Sequence, residues 1–168
     1  SNAITGVGHK PDLIWSKDRN GTESHVVLDS IRGNTHRLYT DSAGAQTSDS
    51  SVTLTSFDAD GFTLTQYHDS NQSGSTNVGW CWKAGGDIAD VSGNFIKDGV
   101  AFTPTQGTIN ATSISVNTTS KFSIVKFTSD ISSDVGETGT PPTIAHGIGV
   151  KPTLVIVKDT DGGSYPHW

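Results

Sequence analysis

The sequence predicts an all-β fold, an antiparallel β-sandwich or jelly roll, and three observations carry that reading. Helix-favouring residues are scarce: the chain has no Met and only two Glu (Glu23 and Glu137), against 19 Gly and abundant Ser and Thr. Apolar and polar residues alternate with period 2 in several short stretches. Those stretches are separated by Asp, Asn and Gly clusters of the kind that close turns.

Taken in order, residues 13–17 and 25–29 form a first strand pair around Asp18-Arg19-Asn20-Gly21, whose Asn-Gly step suits a hairpin. Residues 37–40 continue after the Gly33-Asn34 break. Residues 52–57 and 62–67 flank Asp58-Ala59-Asp60-Gly61, with Val52, Leu54, Phe62 and Leu64 alternating against polar neighbours, and make the clearest hairpin. Residues 77–82 follow a polar loop, residues 69–76. From 83 to 110 Gly and Asp recur every few residues, which predicts a long loop with one short strand near Phe95. Residues 113–116, 122–127 and 154–157 are strands again, the last an unbroken apolar run suited to burial on both faces. No stretch carries a sustained 3.6-residue apolar stripe, so no helix is expected.

The chain says one thing twice. Residues 6–21, GVGHKPDLIWSKDRNG, and 147–162, GIGVKPTLVIVKDTDG, align without a gap at an offset of 141. They share Gly6/Gly147, Gly8/Gly149, Lys10/Lys151, Pro11/Pro152, Leu13/Leu154, Lys17/Lys158, Asp18/Asp159 and Gly21/Gly162. Such agreement is the signature of a repeat period. Ser1, Asn2 and Ala3 read as the scar of an expression tag. The expected organisation is therefore the scar (1–3), a β-sandwich module (4–127), a Ser-, Gly- and Pro-rich connection (128–142), and the start of a second repeat (143–168) packed on the same module. In the second copy residues 121–130 precede the motif as a strand expected to pair with 153–159, and in the first copy that leading strand is missing. The chain then reads as a window on a longer repetitive protein.

Composition excludes several functions. The formal net charge of -6 opposes a phosphate-binding surface, so nucleic acid is not an expected partner. No apolar run approaches the roughly 20 residues of a membrane-spanning helix, so membrane insertion is not expected. Cys81, the single cysteine, allows no internal disulfide and reads as a small buried hydrophobe.

A series of motifs resembles a known family: GVGHKPDLIWSKDR, LDSIRG (28–33), DGFTL (60–64), GWCWKAG (79–85), FSIVKFT (122–128) and HGIGVKPTLVIVK (146–158). In this order they are similar to a repeated module of tail-fibre-like and other virion structural proteins of tailed bacteriophages, especially marine ones. The resemblance spans the chain from Gly6 onward, with His9 standing where an apolar residue is usual. It implies a concanavalin- or laminin-G-like jelly roll, a virion-surface or extracellular location, and a role in structural display or host-surface adhesion rather than catalysis. It brings no catalytic positions.

For the residues that carry chemistry, two readings stand beside each other. Trp80 and Trp82 point to one face of a strand and Cys81 to the other; buried they are core, exposed they form a platform on which sugar rings stack. Trp15 is read as core. Trp168 joins Trp80 and Trp82 as a glycan-binding candidate. Arg32 and Arg37, with Asp29 around the Gly33 turn, either brace the turn or bind a sugar or carboxylate. Asp58 with Asp60, and Asp159 with Asp161, are the metal candidates; Ca²⁺ wants several close oxygens, but Asp also closes turns on its own backbone. Neither turn has the full EF-hand spacing. The six His show no metal-ligand spacing. No Gly-x-Ser-x-Gly elbow and no Glu-x-Asp-x-Glu strand is present, so no catalytic residues are assigned and a glycoside-hydrolase-like jelly roll ranks third. The partners expected are a bacterial surface glycan, other copies of the module, or self-association through an edge strand. A lectin-like carbohydrate-binding module outside a phage is the alternative.

Overall fold

The computed structural model describes residues 1–48, 54–65, 68–129 and 141–163. They are nearly all strand and loop: β1 (Asn2–Thr5), β2 (Leu13–Asp18), β3 (Val26–Asp29), β4 (His36–Tyr39), β5 (Thr47–Ser48), β6 (Leu54–Asp58), β7 (Gly61–Leu64), β8 (Asn77–Trp82), β9 (Phe95–Lys97), β10 (Val100–Ala101), β11 (Ala111–Asn117) and β12 (Phe122–Phe127). One turn of helix, α1 (His68–Asn71), and a 3-10 turn at Ile88–Asp90 are the helical pieces among them. The fold class is all-β, as the alternation predicts.

The chain divides into two compact units, the first made of Ser1–Lys83 with the described residues from Pro152 onward, the second of Ala84–Lys151. The boundary falls inside the span 4–127 that the sequence suggests as one module. A Gly-rich stretch, residues 83–86, marks the place.

In the first unit a three-stranded sheet, β1-β7-β6, and a five-stranded sheet, β5-β4-β3-β2-β8, make an antiparallel sandwich. Register fixes which residues face inward. Ile14 stands opposite Leu28 on one side and Cys81 on the other, and Val26 opposite Tyr39. These meet Leu54, Phe62 and Leu64 from the smaller sheet. Fully burying a side chain of the size of Ile14 or Leu28 stabilises by about 1.5–3 kcal/mol, so this six-residue cluster is the main apolar anchor of the unit. Asp58 pairs with Gly61, so Ala59 and Asp60 form the two-residue loop the sequence announces. At Gly61, with φ 154°, a Cβ would run into the carbonyl oxygen of Ile4, so only glycine lets β1 close on β7.

The second unit holds a four-stranded sheet, β10-β9-β11-β12. β11 runs parallel to β9 and antiparallel to β12, a departure from an all-antiparallel expectation. Its core is Ala111, Ile114, Val116 and Ile148, with Phe95, Phe102, Val125 and Ala145 packed against them. The hairpin β9–β10 lies where the sequence suggests a long loop. Its signal is the Asp98-Gly99 step: both residues adopt positive φ (50° and 88°), the geometry of the tightest hairpin turns, and Asp98 accepts from the N–H and hydroxyl of Thr118.

Three expectations are corrected. Asn2 and Ala3, set aside from the fold as a tag scar, pair with Leu64 and Thr63 in β1. β12 pairs with β11 and not with the second motif copy. Residues 154–157 form no strand and lie exposed, Leu154 at 75% and Val155 at 65%. The positions expected as strand at 52, 53, 66 and 67 lie outside the described residues.

Candidate functional site

The side chains at odd positions of β2 and even positions of β8 turn away from the core. Trp15 stands opposite Trp80 and Val27, and Leu13 opposite Trp82 and Asp29. The Trp15 and Trp80 rings lie 5.7 Å apart, tilted by 53°. Trp80 is 47% exposed, and Trp15 and Trp82 are half-buried. The structure thus places Trp80 and Trp82 on the outward face of the five-stranded sheet, at its β8 edge, and corrects the reading of Trp15 as core. The inward positions across from them are filled by Ile14 and the half-buried Cys81, whose thiol burial pushes up and keeps protonated. A tilted indole pair with the Trp80 ring open offers a flat apolar surface, which suits the face of a sugar ring, while the Trp15 Nε1–H is buried. Trp168 lies outside the described residues.

The arginines do not reach this face as ligands. Arg32 donates from Nε to Asp29 Oδ2 at 2.6 Å and from Nη2 to the Val27 carbonyl at 3.1 Å, and its backbone N–H donates to Asp29 Oδ1 at 2.9 Å. Its side chain is 5% exposed, so it braces the turn after β3. Arg37 is buried on the core side, where its Nε donates to the Tyr39 hydroxyl at 2.7 Å, and Tyr39 donates to Asp69 Oδ2 at 2.8 Å. Both arginines are structural, and the sugar-binding alternative for them is withdrawn because neither presents its guanidinium to solvent.

Burial, above all, pushes the Tyr39 phenol up to about 12, with Asp69 adding to the rise and Arg37 opposing it. The folded state therefore favours neutral Tyr39. Its contribution to stability is intact below the ordinary tyrosine value of about 10 and is lost as pH climbs through about 12. An alkaline absorbance titration of the native chain should show a late phenolate component that is missing in Tyr39→Phe.

Three of the four acidic-turn carboxylates are spent on the fold. Asp58 accepts from the Ser56 and Thr63 hydroxyls at 2.6 and 2.7 Å, which holds its carboxyl below the usual range. Asp60 accepts from the Gly6 and Gly8 N–H groups at 3.1 and 2.6 Å. Gly6 and Gly8 have φ of 85° and 83° and give their N–H groups to the two carboxylate oxygens, while the Val7 N–H between them donates to the Asp60 carbonyl. Asp159 accepts from the Asp161 N–H at 2.9 Å, the same i to i+2 bond that Asp18 makes with Asn20 at 3.0 Å in the first motif copy. Among the described residues no group of three His, Cys, Asp or Glu is placed to hold a metal ion. Turn chemistry accounts for the carboxylates of Asp58, Asp60 and Asp159, while Asp161 enters its turn through its backbone N–H.

Fold and site together define an all-β sandwich protein with an outward, edge-located tryptophan face. The chain belongs to the family described as Domain of unknown function (DUF7483), whose model matches residues 1–168. Neither the curated proteins nor the solved structures give a match.

Proposed function

We propose that this chain is a non-enzymatic module of a repetitive, tail-fibre-like virion protein that engages host-surface glycan through the Trp15–Trp80–Trp82 face. The observation that carries the binding part is the exposure of Trp80 on the outward side of a strand whose inward side already supplies the core. Beside the Trp15 and Trp82 rings, the open Trp80 ring makes a contiguous apolar patch of the kind that marks an interaction surface. The virion setting and the jelly-roll likeness rest on the ordered series of motifs set out above.

The test is a screen of glycans and bacterial polysaccharides against the purified chain, in Ca²⁺ and in chelator. Binding is expected in both conditions, because the Asp58, Asp60 and Asp159 carboxylates are engaged by hydroxyl and N–H donors. Trp80→Ala should weaken binding about tenfold, the loss of roughly 1.4 kcal/mol of stacking and burial, with Trp80→Phe intermediate. Silence from the folded chain across the screen would leave display without adhesion as the module's role.

A further inference from the structure

The outward face of the five-stranded sheet is closed at one side and open at the other. Over β3 and β4, Leu38, which stands opposite Val27, and Asp29, which stands opposite Leu13, are both buried, and so is the Arg32 side chain that Asp29 holds. Over β2 the face is intermediate, with Leu13, Trp15 and Lys17 half-buried. It opens at β8, where Trp80 is 47% exposed between half-buried Val78 and Trp82. A ligand of this face therefore meets a strip that follows β8, bounded by the Trp15 ring on one side and by the sheet edge on the other.

The strip has length. Alternate residues of a strand stand about 6.6–6.8 Å apart, so positions 78, 80 and 82 span about 13 Å. A single sugar ring stacked on Trp80 leaves the side chains at 78 and 82 untouched, whereas a chain of about two or three rings laid along β8 covers all three. Charge restricts the ligand further. The formal net charge of -6 sets the chain against a polyanion. Two cations on this face are already engaged: Arg32 is held by Asp29 and the Val27 carbonyl, and Lys17, opposite Val78, donates to the Glu23 carbonyl at 2.8 Å and the Gly21 carbonyl at 3.4 Å. Turning either toward a carboxylate or sulfate group would first break those bonds.

We infer that the ligand of this face is an uncharged polysaccharide chain, bound lengthwise along β8 over several rings. This rests on the proposed glycan-binding role and adds to it the class and the orientation of the glycan. The test titrates the whole chain with neutral polymers (dextran, mannan, galactomannan and xyloglucan) and acidic ones (alginate, polygalacturonate and hyaluronan), with and without added salt, and then with the mono-, di- and trisaccharides of the neutral polymer that binds. A neutral polymer is expected to bind about tenfold or more tighter than any acidic one, with an affinity that salt changes by no more than about twofold, since no ion pair forms. Affinity should rise about tenfold or more from the monosaccharide to the trisaccharide. Trp82→Ala, its fold checked by circular dichroism, should remove most of that gain with length. An acidic polymer bound as tightly as the neutral ones, or a monosaccharide bound as tightly as the trisaccharide, overturns this inference and leaves the glycan-binding role standing. Silence from the folded chain against both classes overturns the two together.

Discussion

Replacing Ile14 with alanine is expected to destabilise the first unit by about 2–5 kcal/mol, while the same truncation at Val155, the matching position of the second motif copy, should stay within roughly 0.5 kcal/mol. The two positions carry near-equivalent residues in related motifs, but Ile14 is wholly buried among Val26, Leu28, Leu54, Phe62 and Leu64, and Val155 is open to water. Denaturant unfolding followed by tryptophan fluorescence checks this, since Trp15, Trp80 and Trp82 all lie in the first unit. The comparison isolates what the surrounding sheet contributes. Equal small costs at both positions would mean that the sandwich does not pack around Ile14 as described.

A second large effect is expected at Asp29. Its carboxylate takes the Arg32 guanidinium at 2.6 Å and the Arg32 backbone N–H at 2.9 Å, with the two side chains only 6% and 5% exposed. Asp29→Ala leaves a buried cation without its counter-charge and should cost about 3–5 kcal/mol. Asp29→Asn keeps an acceptor for the N–H and should cost less. The double variant Asp29→Ala, Arg32→Met, which removes the stranded charge and keeps apolar bulk, should recover much of the loss. Failure to recover would mean that the carboxylate's backbone bond, and not the ion pair, holds the turn. The same ion pair explains why Arg32 is unavailable to a ligand: releasing it for a sugar would incur the full penalty of an unpaired buried Asp29.

Much of the fold is legible in residues whose consequences are local. The Asp58-Ala59-Asp60-Gly61 hairpin, the strands at 13–18, 26–29, 77–82 and 122–127, and the absence of long helices among the described residues all follow from alternation and turn chemistry. The Asp98-Gly99 hairpin carried the same kind of signal and was obscured by the Gly and Asp residues around it. β1 was not legible, because Asn2 and Ala3 have no strand pattern of their own; they are ordered by β7, whose Gly61 leaves room for them. Of the candidate site, the even spacing of Trp80 and Trp82 was visible in sequence, but not which side of the sheet they occupy. That depended on the inward side being filled by Cys81 and Ile14 against the smaller sheet. Arg32 and Arg37 were singled out as a pair, and tertiary structure sent them to different faces and different partners.

The doubled motif separates the two kinds of information most clearly. By itself the sequence determined the left-handed glycines, the proline after them and the self-capping aspartate turn, and it determined them twice, because each rests on steric and hydrogen-bond preferences within a few residues. Only the tertiary structure decided that one copy is a strand and the other is not. A strand's hydrogen bonds and its buried face both belong to its neighbours, so Leu-Ile-Trp-Ser becomes β2 where β3 and β8 flank it, and Leu-Val-Ile-Val lies open where nothing described does.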